Sequence, residues 1–146
     1  MNLNVIFSLV NNPSFNVNAK STENGATPLI TAAIRGYTKM MTKLLDSGAR
    51  IDDRDSRLST ALHYAVWISK PDAAKLLIER GADINALNSM LDTPLNIAAS
   101  IGSYEMIEIL LEVDPLTLTI LIWLVKRLFT LPLNALIHLG KLLKCS

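Results

Sequence analysis

The chain is poor in the residues that carry out chemistry. Its 146 residues include one cysteine, Cys145, and two histidines, His63 and His138. A single thiol excludes an intramolecular disulfide and fits a reducing compartment. One cysteine and two histidines without close spacing make no zinc site. Gly-rich loops that cradle phosphate are missing. A net charge of +1 supplies no overall field to recruit nucleic acid. Asp52, Asp53 and Asp55 crowd one short stretch, but the alternating calcium-loop pattern closed by a glutamate is absent. Arg50, Arg54 and Arg57 interleave with these acids, which predicts a solvated tip paired with itself. The first ten residues have no basic leader, and their apolar run is short and broken by asparagines, so no signal peptide is expected. Cys145-Ser146 is too short an ending for a prenylation signal. No catalytic constellation and no cofactor site emerge.

What the chain does contain is a phrase that returns every 33 residues. Thr27-Pro28-Leu29-Ile30-Thr31-Ala32 is echoed by Thr60-Ala61-Leu62-His63-Tyr64-Ala65, and again by Thr93-Pro94-Leu95-Asn96-Ile97-Ala98. Gly48-Ala49-Arg50-Ile51-Asp52 recurs at the same step as Gly81-Ala82-Asp83-Ile84-Asn85. A fixed period of this length marks a stacked array, in which each unit buries its apolar face only against its neighbours. The local chemistry describes the unit. Thr27 and Thr93 are good N-caps, and Pro28 and Pro94 suit the first helical position. Gly36 and Gly102 end that first helix. A second helix carries an apolar stripe: Met40, Met41, Leu44 and Leu45, then Ala73, Ala74, Leu77 and Ile78, then Met106, Ile107, Leu110 and Leu111. Gly48 and Gly81 stop the second helices. The middle unit departs from the pattern, with Ala61 in place of proline and Ser69-Lys70-Pro71 where a glycine stands in the others; a differently shaped turn is expected there.

These phrases resemble the ankyrin repeat, whose T-P-L-H-x-A signature and 33-residue period both occur here. The resemblance implies an all-α ankyrin-repeat solenoid of stacked helix-turn-helix units with β-turn tips. The expected organisation is an N-terminal capping half-repeat over 1–22 and repeats over 23–55, 56–88 and 89–114, the last incomplete at its end. A divergent hydrophobic segment over 115–146 follows. His63 takes the signature histidine position, where the ring bonds neighbouring loops and has no catalytic task. Asn16-Val17-Asn18-Ala19-Lys20 resembles Asp83-Ile84-Asn85-Ala86, with a one-residue insertion before Thr27.

The tail breaks the pattern. The first 114 residues hold ten bases against thirteen acids, whereas 115–146 hold four bases and no acid. Three interpretations stand open: a degraded fourth repeat, a membrane-associated segment and a non-native end. A membrane span needs about 20 apolar residues. Lys126-Arg127 interrupts the run, each costing about 2.5–3.5 kcal/mol at a helix centre, so membrane contact by the tail is the weaker expectation.

The resemblance also places binding on the β-turn tips and the exposed side of the first helices. Residue by residue, the protein-binding candidates are Glu23, Asn24, Ile34, Arg35, Arg57, Trp67, Ile68, Met90 and Ile101. Ile34, Trp67 and Ile101 read as an apolar column along the stack. Trp67 has two interpretations, an interface anchor or a cover over the irregular Ser69-Lys70-Pro71 turn. The implied function is protein–protein interaction without catalysis, through an unidentified protein partner and with no nucleic acid or small-molecule substrate. The alternatives are a truncated remnant of a longer ankyrin-repeat gene and a membrane-associated adaptor. The expected location is the cytoplasm, with a secreted effector of an intracellular microbe as the other possibility.

Overall fold

The structure, a computed structural model, describes Ser8 and residues 11–113. The interpretations of the 115–146 tail lie outside the described residues, as does most of the first ten. Six helices are described and no strand among them: α1 Pro28–Arg35, α2 Thr38–Asp46, α3 Ala61–Trp67, α4 Pro71–Glu79, α5 Pro94–Ile101 and α6 Tyr104–Leu111. Each pair forms one helix-turn-helix unit. The first helices α1, α3 and α5 make one layer, and the second helices α2, α4 and α6 make the layer behind it.

The start of each first helix follows from its threonine. Thr27, Thr60 and Thr93 have extended backbones, and their hydroxyls accept the N–H groups of Ile30, His63 and Asn96. Each therefore satisfies a donor the helix leaves unpaired at its N-terminus. Small residues then allow close approach between layers. Ala32, Ala33, Ala61, Ala65 and Ala98 are all buried. The second helices fill the remaining space, with Met41, Leu44, Ala73, Ala74, Leu77 and Met106 fully buried between units.

The middle turn is not differently shaped, contrary to the sequence-based expectation. Gly36 and Gly102 end α1 and α5 at φ 71° and 70°, and Ser69 adopts the same left-handed conformation at φ 52°. The hydrogen bonds match too. Tyr37 N donates to Ala32 O at 3.0 Å, Lys70 N to Ala65 O at 2.8 Å and Ser103 N to Ala98 O at 3.0 Å. Ring closure of Pro71 suits the first turn of α4, where no donor is required. The stack imposes the turn, and serine accepts the strain of a conformation that glycine adopts freely.

The tips repeat as well. In the second tip Asp55 N donates to Ser59 O and Leu58 N to Asp55 O; in the third Asn88 N donates to Asp92 O and Leu91 N to Asn88 O. Both are three-residue turns closed by a left-handed residue. In the first tip Ser21 N donates to Ala26 O, with Gly25 left-handed. That tip is one residue longer, which locates the one-residue insertion before Thr27. Neighbouring tips are joined along the stack: Ser56 N donates to Asn24 O at 3.0 Å, and Ser89 N to Arg57 O at 2.8 Å.

The left-handed tip position is Gly25 in the first repeat but Leu58 and Leu91 in the next two, at φ 57° and 62°. The left-handed conformation costs an L-residue about 1–2 kcal/mol. Leu91 is 72% exposed, so little burial offsets that cost. Leu91→Gly should therefore raise stability by about 1 kcal/mol once glycine's own entropy is set against the relief, while Leu91→Ala should leave it near wild type. Urea unfolding measures both. A Gly variant no more stable than the Ala variant would mean the tip is not held left-handed.

Candidate functional site

The site is built on the tips and first helices of the second and third repeats. Tyr64 and Trp67 are separated by three positions on α3 and so share a face. Their rings stack, with centroids 6.1 Å apart and planes at 19°. Ile97, Ser100 and Ile101 occupy the corresponding face of α5. The tips contribute Arg57 and Ser59 on one side and Asn88, Ser89, Met90 and Asp92 on the other. Together these residues line a groove of about 260 Å³ between the two repeats, with His63 in its wall.

Four sequence candidates meet in this groove: Arg57, Trp67, Met90 and Ile101. Trp67 is 54% exposed and Met90 76%. The Arg57 guanidinium is exposed and makes no ion pair among the described residues. The other candidates lie elsewhere. Ile68 caps the C-terminal end of α3 and is half exposed. Arg35 borders a separate cavity of about 620 Å³ beside Phe15, Lys20 and Tyr37. Glu23 and Asn24 are exposed on the first tip, where Asn24 already accepts Ala26 N through its side chain and Ser56 N through its backbone. Ile34 is half-buried against the core.

The apolar column also needs correcting. Ile34 and Trp67 occupy equivalent positions, but one more step of the repeat from Trp67 leads to Ser100, and Ile101 corresponds to Ile68. Sequence reasoning missed Tyr64, Ile97 and Asn88 as lining residues. The spacing contained the signal for the first two, because Tyr64 lies one turn before Trp67 and Ile97 one turn before Ile101.

The groove wall is held by His63, whose ring is buried. Thr60 N donates to Nδ1 at 3.1 Å, so Nδ1 carries the lone pair. Nε2 therefore carries the proton and donates to Asp92 O, at the base of the next tip, at 3.1 Å. The ring thus spans two repeats, as the resemblance implied. Burial lowers its basicity below the ordinary value of 6.5, although the carbonyls of Asp92 and Ala86 act the other way.

Asp55 is the second anchor. It is buried, and its Oδ1 accepts Arg57 N and Ser59 N, both at 2.9 Å. Its Oδ2 accepts the Tyr64 hydroxyl at 2.6 Å. Burial, with this bond and the neighbouring carboxylate charge, pushes the Tyr64 phenol up to about 12. Among the described residues, the acids of this stretch make no ion pair with its own arginines; from them Asp55 takes only the backbone N–H of Arg57. Arg54 donates to Leu87 O at 3.0 Å, and Asp52 accepts Asp83 N at 2.9 Å, so both reach the next repeat. Asn18 accepts Arg50 N at 2.8 Å in the same manner, which ties the N-terminal segment to the array. No group of three or more metal-ligating side chains is found among the described residues.

This geometry matches what sequence comparison returns. A family model described as "Ankyrin repeats (3 copies)" matches residues 1–88, and one described as "Ankyrin repeats (many copies)" matches 69–111. The chain belongs to the ankyrin-repeat family. Among curated proteins it is similar to mouse ankyrin repeat and SOCS box protein 9, at 37% identity over 87 residues, covering 60% of this chain and 30% of that protein. A fowlpox virus ankyrin repeat protein, FPV233, is 42% identical over 76 residues, covering 50% of this chain and 15% of the viral one. Human neurogenic locus notch homolog protein 1 is 36% identical over 90 residues, or 4% of its length. The chain spans less than a third of each of these relatives.

His63 makes stability depend on pH. Its folded-state pKa lies below the unfolded value, so the unfolded chain binds more protons in that window. Stability is complete above about 6.5 and declines as pH falls below it. Melting temperature should drop between neutral and mildly acidic pH, and much of the slope should vanish in His63→Gln. An unchanged slope in that variant would contradict a buried, neutral ring.

Proposed function

We propose that this ankyrin-repeat chain is a non-catalytic protein-binding module whose recognition centre is the groove between its second and third repeats. The observation that carries this is the convergence of Arg57, Trp67, Met90 and Ile101 at one exposed, largely apolar groove. A contiguous exposed apolar patch usually marks a contact surface, and Trp and Arg are enriched among residues that dominate binding energy. A groove of about 260 Å³ is below the range of ordinary small-molecule sites, about 300–1,000 Å³, and fits one or two side chains of a partner. The chemistry favours a partner presenting an apolar anchor to Trp67 with a carboxylate near Arg57. Both ring nitrogens of His63 are engaged in structural hydrogen bonds, which speaks for scaffolding over proton transfer. We place the module in the cytoplasm, in keeping with its single cysteine.

The alternative role for Trp67, covering a gap at the irregular turn, has less support. The ring stacks on Tyr64, and the Ser69 turn keeps the same bonds as its glycine counterparts, so there is no misshapen turn to cover. Trp67→Ala should therefore weaken capture of a partner from lysate by about 2 kcal/mol or more, while shifting melting temperature little. Equal loss of binding and stability would make Trp67 a packing residue, and undiminished binding would move the recognition surface elsewhere.

A further inference from the structure

Methionine supplies a feature that the binding role alone leaves unused. Of the four methionines in the described residues, Met40, Met41 and Met106 are 8%, 0% and 0% exposed, and Met90 is 76% exposed. Met90 is also the one that lines the groove, on the tip facing Trp67 and Ile101. Its backbone is fixed, because Met90 N donates to Asn88 Oδ1 at 2.9 Å. The thioether is thus exposed to solvent on a hydrogen-bonded tip at the edge of the groove.

We propose that Met90 is a reversible oxidation site, and that its sulfoxide converts one wall of the groove from apolar to polar. The oxidant is a peroxide. The sulfur lone pair attacks the distal peroxide oxygen, the O–O bond breaks and an S–O bond forms. Sulfur loses two electrons, and the peroxide leaves as water after proton transfer. The sulfoxide is polar and chiral where the thioether was flexible and apolar. An apolar anchor beside Trp67 then meets a dipole that competes for water. Sulfoxide reductases return the thioether, one enzyme for each epimer, with a dithiol as electron donor. The consequence for partner binding rests on the groove assignment above; selective oxidation and the change in groove polarity do not.

The test uses the intact, folded chain with hydrogen peroxide, peptide mass mapping and tryptophan emission. Met90 should gain one oxygen at least about tenfold faster than Met40, Met41 and Met106, in line with its exposure. The paired reductases with dithiothreitol should remove that oxygen without unfolding the chain. Emission should change on oxidation of wild type, and the change should be absent in Met90→Leu and in Trp67→Phe. Oxidation of the buried methionines within about twofold of the Met90 rate would overturn the selectivity. Selective oxidation with unchanged Trp67 emission would overturn the groove switch. Loss of partner binding in Trp67→Ala together with an unresponsive Met90 would leave the binding role standing and reject this inference alone.

Discussion

Everything in this molecule depends on one constraint: no two-helix unit can cover its own apolar face. α3 shows the consequence most clearly. It packs against α1 on one side and α5 on the other, with α4 behind, and its Ala61, Leu62, Ala65 and Val66 are buried. Its side chains were selected by neighbours on both sides. Dispersion and hydrophobic burial provide the bulk of the stabilisation. The hydrogen bonds from one tip to the next, and from His63 to Asp92, fix the register in which that burial takes place.

The same constraint produces the groove. Because the repeat fixes the spacing of successive first helices, side chains at one repeat position form a row whose members are set by the period. Small residues in that row bring layers together, and large ones that cannot be buried project from it. Trp67 and Ile101 belong to adjacent rows on neighbouring helices, and the tips bring Arg57 and Met90 to the same opening. Strain is concentrated nearby. Leu58, Ser69 and Leu91 all hold left-handed backbones without glycine, which the surrounding stack over-determines.

Much of this was legible in the residues. The threonine caps, the first-helix glycines and the second-helix stripe follow local rules, and the structure places them as those rules require. Three features were not legible, each for a physical reason. The Ser69 turn was expected to differ because serine disfavours the left-handed region, yet packing of α3 against α4 outweighs that local preference. The acid-rich stretch was expected to pair with its own arginines, since charge pattern shows who is nearby in sequence. Backbone donors of the next repeat, invisible in sequence, claim Asp52, and Arg54 turns to the Leu87 carbonyl. The groove is half visible: the repeat pattern marks Arg57, Trp67, Met90 and Ile101 as candidates, but their meeting depends on how adjacent repeats are rotated, which one-dimensional spacing does not encode.

The central claim is that neighbour burial holds the middle repeat rigid, and that this rigidity presents the groove. Native-state hydrogen exchange tests it most directly, since amide protection maps local opening free energy. The account predicts that α3 amides, flanked by helices on both sides, exchange most slowly of the described helices, and more slowly than those of α2, which packs chiefly against α1 and α4 among them. Amides of α3 exchanging as fast as those of α2 would contradict it.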